Sequence, residues 1–336
     1  MENTALITGG AGFIGSHVVD EVLKLGSKVV VLDDLSGGYR DNVNPLAELV
    51  VGSITDEELV RGLFERYQFR NVYHLAAYAA EGLSHFIRRF NYTNNLIGSI
   101  NVINESIKCK VDCFVFTSSI AVYGTNQLPL TEELFPNPED PYGVAKLAVE
   151  QDLRLAKNMF GLNHVIFRPH NVYGERQNIG DRYRNVIGIF MNEIMKGEPL
   201  TIFGDGKQTR AFSYISDVAP VIARAPYVPG ALNKIFNVGA DTPITVRRLA
   251  EVVCHAMGAP LSIRHLEERN EVRHAYATHQ RVREVFDLTK EETSIEEGVQ
   301  RMAEWAMRVG PRQSRPFENV EILENMPKSW LTEFEK

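Results

Sequence analysis

Cysteine is scarce: Cys109, Cys113 and Cys254 are the only three in 336 residues. An odd count at low density argues against a disulfide framework. Three residues separate Cys109 from Cys113, one too many for a CxxC redox pair, so all three are expected to be structural thiols. Long apolar runs are missing. None reaches the ~18 residues needed to span a bilayer, so no membrane partner is expected. Residues 1–6 carry no basic head and no cleavage site, which argues against a signal peptide and makes the cytoplasm the expected location. Excess positive charge is missing too. Lys and Arg number 36 against 43 Asp and Glu, a net charge of −7, so no general attraction to nucleic acid is expected. The nine histidines form no HExxH pair, and no metal is expected. His274 and His279 have no convincing set of partner ligands in the sequence, and His74 and His164 read as structural. There is no internal repeat or low-complexity segment.

What remains is an ordinary globular composition, 44% hydrophobic and 24% charged, at a length that suits two lobes sharing one body. Strand and helix signals alternate from the start. Residues 4–8 read as a strand, 13–25 as a helix, 28–33 (KVVVLD) as a strand ending in an acid, and 72–75 as another strand. One long helix is expected over 84–108. Residues 113–117 are a strand, 141–160 a helix and 165–168 a strand. Such alternation predicts an α/β fold, a Rossmann-type doubly wound parallel sheet. Ligands in such sheets lie at the carboxyl ends of the strands. Beyond about residue 171 the pattern loosens. A helix is expected at 181–196, with strands at 200–203 and 211–214. A strand at 236–238 can return to the main sheet, and amphipathic helices follow at 246–257 and 295–309. The expected division is a Rossmann domain over 1–170, with later returns near 212–240, and a smaller mixed α/β substrate-binding lobe mainly over 171–330. The stretch 311–336 is rich in proline and charge and carries no assignable chemistry.

Three sets of residues suggest chemistry. Gly9, Gly12 and Gly15 in TGGAGFIG (8–15) form a GxxGxxG loop between the first strand and the first helix. Gly9 permits the tight turn and Gly12 lets a pyrophosphate approach the backbone. Gly15 lets the helix pack closely while its N-terminal N–H groups face the anion. Any tight strand–helix turn can carry such glycines; the flanking elements and the acid at Asp33 select dinucleotide binding. A carboxylate there accepts the adenosine ribose hydroxyls and repels a 2′-phosphate, favouring NAD over NADP. Arg40 is the one nearby cation that opposes this. Tyr142 and Lys146 (YGVAK) stand four apart and share a helix face. The ammonium favours the phenolate, so the tyrosine can act as an acid or base near neutral pH. Thr117-Ser118-Ser119 ends a strand. Ser119 is taken as the hydroxyl that bonds the substrate oxygen, and Ser118 as a cap.

These segments resemble the extended short-chain dehydrogenase/reductase family, and within it the NAD-dependent nucleotide-sugar epimerases and dehydratases of the UDP-glucose 4-epimerase type. The resemblance also rests on LDDLS at 32–36, HLAA at 74–77, NN at 94–95, SSIAVYG at 118–124, RPHNVYG at 168–174 and GDGKQTRAFSYISD at 204–217. It implies a bound NAD regenerated in each cycle, Tyr142 as base, Lys146 as its electrostatic partner and ribose ligand, and Ser119 as proton bridge. It implies Phe13 and Ile14 at the pyrophosphate, Ser53 and Ile54 near adenine, and Leu75, Ala76 and Ala77 under the cofactor. Asn94 would steady the catalytic loop, and the Pro169 backbone would meet the nicotinamide amide. Asn171 and Arg210 would hold the substrate diphosphate, with a second clamp from Arg269 or Arg273. A homodimer through the helices near 84–108 and 143–160 is implied as well.

Four departures matter. Ser53 replaces the family's usual aspartate beside Ile54. His170 stands where sugar epimerases often carry an aromatic residue, as in the GDP-mannose 3,5-epimerase pattern, yet Ala121 replaces that group's catalytic cysteine. Glu81 puts an acid where most 4-epimerases are apolar, either as a sugar-hydroxyl ligand or as a solvated loop acid. Ile120 and Ala121 occupy positions where the 4,6-dehydratases carry acids. The leading expectation is 4-epimerisation of a nucleoside-diphosphate sugar, UDP favoured, through a transient 4-keto sugar. The alternatives are a dehydratase or a 3,5-epimerase using the same oxidation. A third reading, an NAD-binding sensor without turnover, is opposed by the intact Ser119, Tyr142 and Lys146 set.

Overall fold

The computed structural model describes residues 3–181, 183, 185–268, 274–314, 317–318 and 320–331. The first half runs β1 (Thr4–Thr8), α1 (Phe13–Lys24), β2 (Lys28–Asp33), β3 (Glu48–Val51), α2 (Glu57–Tyr67), β4 (Asn71–His74), α3 (Glu81–Ser84), α4 (Arg88–Tyr92), α5 (Gly98–Lys108), β5 (Cys113–Thr117), α6 (Pro141–Phe160) and β6 (His164–Pro169). The second half adds β7 (Val172–Tyr173), α7 (Val186–Met195), β8 (Leu200–Phe203), β9 (Thr209–Ala211), β10 (Ser213–Tyr214), α8 (Ile215–Arg224) and β11 (Lys234–Val238). It continues with β12 (Pro243–Thr245), α9 (Val246–Ala256), β13 (Ile263–Leu266), β14 (His274–Ala275), α10 (Gln280–Phe286), α11 (Ile295–Val309) and α12 (Lys328–Leu331).

Seven strands form one sheet in the order β11-β6-β5-β4-β1-β2-β3, every pair parallel. Strand β11 is the expected late return, registered Phe236 to Phe167 on β6. The strands read as apolar runs because both faces of the sheet are covered. Leu6, Val30, Leu32, Phe114 and Phe116 point toward Val60, Val102, Val149 and Leu153 of α2, α5 and α6. Ala5, Ile7, Val29, Val31 and Val115 point toward Val18, Val22, Val218 and Ile222 of α1 and α8. The chain leaves β1 toward β2 and β3, then crosses to β4 on the other side. That reversal opens a crevice between the carboxyl ends of β1 and β4, the usual ligand site of such sheets. Three small sheets, β10-β7, β12-β9-β14 and β13-β8, build up the second half. None of the described helices is long and apolar enough to cross a membrane.

Helix α6 shows how local sequence sets an element. Asp140 accepts Gly143 N–H at 2.8 Å, Pro141 takes the first turn, and Gly161 ends the helix at φ +82°. An aspartate cap of this kind contributes about 1 kcal/mol, and the Pro-start, Gly-stop asymmetry suits the missing and left-handed backbone groups.

Three expected elements differ. The single helix over 84–108 is broken into α3, α4, a π turn at Thr93–Ile97 and α5. A turn at 85–87 separates α3 from α4, and buried polar side chains set the π turn. Asn95 accepts Tyr78 N–H at 2.8 Å and donates to Tyr78 O and to Asn91 Oδ1, while Ser99 bonds back to Asn95 O. These bonds tie the helix to the strand-end segment and favour the wider turn. The helix expected over 181–196 begins only at Val186, where Asn185 caps Ile187 N–H at 3.1 Å. The strand expected over 211–214 is split at Phe212, with β9 pairing to β12 and β10 to β7.

Candidate active site

A cleft of about 2050 Å³ runs along the carboxyl ends of β1, β2, β4, β5 and β6. Single small-molecule pockets typically span roughly 300–1,000 Å³, so there is room for two extended ligands. At one end lies the glycine turn. Gly9 sits at φ +74° and a Cβ there would meet Ala76 N at 2.7 Å; a Cβ on Gly15 would lie 2.1 Å from Gly9 O. Helix α1 starts at Gly12 with no side chain capping it, so its first N–H groups are open to an anion. Asp33 is buried at the end of β2. Its carboxylate accepts Ala11 N–H at 2.9 Å and Leu35 N–H at 2.8 Å, while burial raises its pKa against the pull of those donors. A cradle that side chains would fill, an open helix terminus and a ribose-height acid fit a dinucleotide.

Beneath this end, hydrogen bonds assign the His74 tautomer. Ser99 Oγ donates to Asn95 O, so His74 Nε2 donates to Ser99 at 2.8 Å, and Nδ1 accepts from Thr8 Oγ1 at 2.7 Å. Thr8 in turn accepts Ala76 N–H at 3.2 Å. His74 is thus a satisfied structural residue, as expected, and burial holds its pKa down at about 3.

At the middle of the cleft, Tyr142, Lys146 and Ser119 all line the cavity and all are largely buried. Lys146 Nζ donates to Thr117 O at 2.8 Å and lies 5.7 Å from the centre of the Tyr142 ring. Burial pulls the Lys146 pKa down to about 7, opposed by Glu150. Ser119 accepts Ala121 N–H at 3.1 Å. The capping hydroxyl is thus Ser119, not Ser118 as expected. Ser118 donates to Glu150 at 2.5 Å, and Glu150 is held by Arg168 through Nε at 2.9 Å and Nη2 at 2.5 Å, fully inside the protein. That triad has no counterpart in the motif reading. Its signal was an acid four residues after Lys146 on an otherwise apolar helix face. Ser84 was also unforeseen: its hydroxyl accepts Tyr142 N–H at 3.3 Å.

At the far end, Asn171 adopts φ +41° and donates to Ala211 O at 3.1 Å. Arg210, on β9, donates to Thr209 O at 2.9 Å. Both line the cleft, as do Glu81, exposed at the start of α3, and Pro169. So do Phe13, Ile14, Ile54, Leu75, Ala76, Ala77 and Asn94; Asn94 donates to Asn95 Oδ1 at 3.0 Å. Ser53 does not. Its hydroxyl pairs with Thr55 Oγ1 at 2.8 Å and it is not among the residues lining the cleft. Arg269 and Arg273 lie outside the described residues.

His170 opens into a buried chain. Its Nδ1 faces the Ala211 carbonyl at 3.1 Å, so Nδ1 carries the proton and Nε2 accepts from His279 Nε2 at 2.9 Å. His279 Nδ1 meets Asp241 at 2.5 Å. Burial, then His279, lowers the His170 pKa to about 3. Although burial pushes Asp241 up, His279 and Arg283 hold it at about 2. Asp241, His279 and Glu292 bring ligand-type atoms within 4.8 Å of one another. Arg283 already donates to both carboxylates, so the charge a cation would supply is provided by a guanidinium.

Comparison with known proteins identifies the family. Residues 5–239 match the NAD dependent epimerase/dehydratase family. A putative UDP-glucose 4-epimerase of Methanocaldococcus jannaschii is 35% identical over 307 residues, 89% of this chain and 97% of that protein. The UDP-glucose 4-epimerase of Thermotoga maritima, solved with UDP-glucose, superposes with a TM-score of 0.84 at 32% identity, covering 91% of this chain and 99% of that one. The enzyme of Thermus thermophilus, solved with NAD, gives 0.84 at 29% identity over 90% and 98%. The chain therefore belongs to the NAD-dependent epimerase/dehydratase family.

Proposed function

We propose that the chain catalyses 4-epimerisation of a UDP-sugar. The observation that carries this is the placement of Ser119, Tyr142 and Lys146 in one cleft with the glycine cradle, beside two residues, Ile120 and Ala121, that hold no proton to give. The relatives named for UDP-glucose support the choice of nucleotide. Bound NAD supplies the hydride acceptor and donor for sugar C4. Gly9, Gly12, Gly15 and the α1 terminus hold its pyrophosphate, and Asp33 its adenosine ribose. Tyr142 takes the 4-hydroxyl proton and returns it, Ser119 bridges that transfer, and the Lys146 ammonium favours the phenolate. Asn171 and Arg210 hold the substrate diphosphate, a task a guanidinium suits. The cofactor is served mainly by residues 1–170 and the sugar nucleotide mainly by 171–330.

The apolar side chains of Ile97, Leu155, Met159 and Phe160 are exposed on the π turn and α6, which supports a homodimer through this face; a monomer in sedimentation at micromolar concentration would contradict it.

The test of the reaction is turnover of UDP-glucose in D₂O followed by NMR. In 4-epimerisation the C4 hydrogen leaves and returns as hydride without meeting water, so the sugar carbons stay unlabelled. Deuterium at C3 or C5 without loss of water would instead mean 3,5-epimerisation. Deuterium at C5 with loss of water, the former C4 hydride now on C6, would mean 4,6-dehydration, for which Ile120 and Ala121 offer no acid.

A further inference from the structure

We infer that the strap at residues 320–331, which follows the last long helix, forms the sugar-side wall of the cleft and positions Tyr142 through the segment 81–92. This rests on the epimerase reading above. Residues 311–314, which precede the strap in the chain, lie at the cofactor side. Arg312 stacks 4.1 Å from the centre of the Tyr39 ring, and Tyr39 N–H is bonded to Ala11 O in the glycine turn. The Arg312 backbone is clasped by the Asn192 amide, donating and accepting at 2.9 Å. Ser314 then bonds Asn178 at 2.9 Å, and Phe317 packs on Phe90 and Tyr78 at 4.9 and 5.3 Å between ring centres.

Helix α4 has no side-chain cap of its own. The Glu321 carboxylate supplies one, accepting Arg89 N–H and Phe90 N–H, each at 2.8 Å. Glu321 and Ile322 N–H groups return bonds to Phe86 O at 2.8 and 3.2 Å. Trp330 is 4% exposed. Its ring meets Tyr183 edge-on at 5.0 Å and Phe86 at 6.2 Å, and a Cβ on Gly82 would come within 3.3 Å of it. The segment so held grips the start of α6: Asn91 donates to Pro141 O at 2.8 Å, and Ser84 accepts Tyr142 N–H. Ile322, Glu324, Asn325, Pro327 and Trp330 themselves line the cleft. One stretch thus contributes cavity surface and a carboxylate that fixes the neighbour of the Tyr142 helix.

The experiment compares wild type, Trp330→Ala, Glu321→Ala and, as a control, Leu323→Ala, whose side chain is exposed on the strap and is not among the cleft-lining residues. It reads kcat and KM for UDP-glucose and UDP-N-acetylglucosamine, Kd for UDP, and bound NAD. Trp330→Ala is expected to shift the kcat/KM ratio toward the N-acetylated sugar by roughly tenfold, the scale of pocket discrimination, with Kd for UDP unchanged. Glu321→Ala is expected to lower kcat by roughly ten- to a hundredfold through misplacement of Tyr142, with Kd for UDP and bound NAD unchanged and only partial rescue by Glu321→Gln, whose single amide oxygen accepts one of the two N–H groups. Leu323→Ala is expected to match wild type. If Trp330→Ala does not fold, Trp330→Phe is read for the same shift. An unchanged sugar ratio together with unchanged kcat, even with a lowered Tm, would overturn the inference and leave the strap a packing element only. If wild type turns over neither sugar, the reaction assignment fails instead. The wall is then judged on binding, by whether Trp330→Ala alters Kd for UDP-glucose relative to UDP.

Discussion

At the cofactor end of the cleft, Gly9, Gly12 and Gly15 lie in one turn between β1 and α1, and backbone contacts as close as 2.1 Å to a would-be Cβ dictate the identity of Gly9 and Gly15. At the sugar end, the wall comes from α3 and α4, the loop that holds Tyr183, β9 and the strap around Trp330. Side-chain packing and carboxylate–amide bonds decide its shape. The first end is a local motif whose sterics leave almost no choice. The second is an assembly of distant segments, each tolerant by itself and constrained only by the others. A dinucleotide cradle can therefore be carried between proteins as a short motif, whereas a sugar pocket has to be rebuilt with its surroundings.

The largest expected effect comes from neither end but from the group between them. Tyr142→Phe removes the acid–base hydroxyl and keeps the ring, so turnover is expected to fall by about 10² to 10⁴ while NAD and UDP stay bound. Turnover close to wild type in a steady-state assay would refute Tyr142 as the base.

Next comes the local motif. Gly15→Ala places a Cβ against the Gly9 carbonyl, backbone on backbone. A loss of more than ~2 kcal/mol of stability is expected, together with loss of co-purified NAD. Gly12→Ala brings its Cβ only to 3.1 Å of Gly9 O, so it should spare stability and weaken NAD retention alone. Equal melting temperatures for the two variants would show that the turn is not limited by these contacts.

The smallest effect at neutral pH is acid lability, and it draws on both ends. His74 and His170 are held neutral, each with its pKa lowered from 6.5 to about 3. The unfolded chain takes up these protons first, so the stability associated with each is full above about pH 6.5 and lost as pH falls toward 3. Urea titrations at successive pH values are expected to show the midpoint dropping across that window, less steeply in His170→Asn. A flat midpoint from pH 7 to 4 would contradict the burial of both rings.

The parallel sheet, its boundaries at β1, β2, β5 and α6, and the late return of β11 were legible because apolar runs, glycine turns and a Pro–Gly helix frame are local signals. The GxxGxxG turn, Asp33, Ser119, Tyr142 and Lys146 were legible for the same reason, each sitting where a strand ends or a helix begins. The turn at 85–87 and the π turn between α4 and α5 were not. Helical periodicity continues through 84–108, and the π turn is held by the tertiary bonds of Asn91 and Asn95 to Pro141 and Tyr78. Glu150 was passed over because its partners come from different parts of the chain, Ser118 just after β5 and Arg168 on β6. The stretch beyond residue 311 was unreadable since its proline and charge resemble a solvated tail. Glu321 and Trp330 acquire meaning only against α4 and Phe86.

The position of the strap in the chain also has a bearing on how the enzyme is made. Translation delivers the glycine turn first, then Tyr142, then β11, and only some eighty residues later Glu321 and Trp330. During synthesis the cradle for the cofactor is therefore complete long before the pocket for the sugar. An emerging chain can acquire NAD, and with it the stability that ligation confers, before the wall that admits a substrate exists.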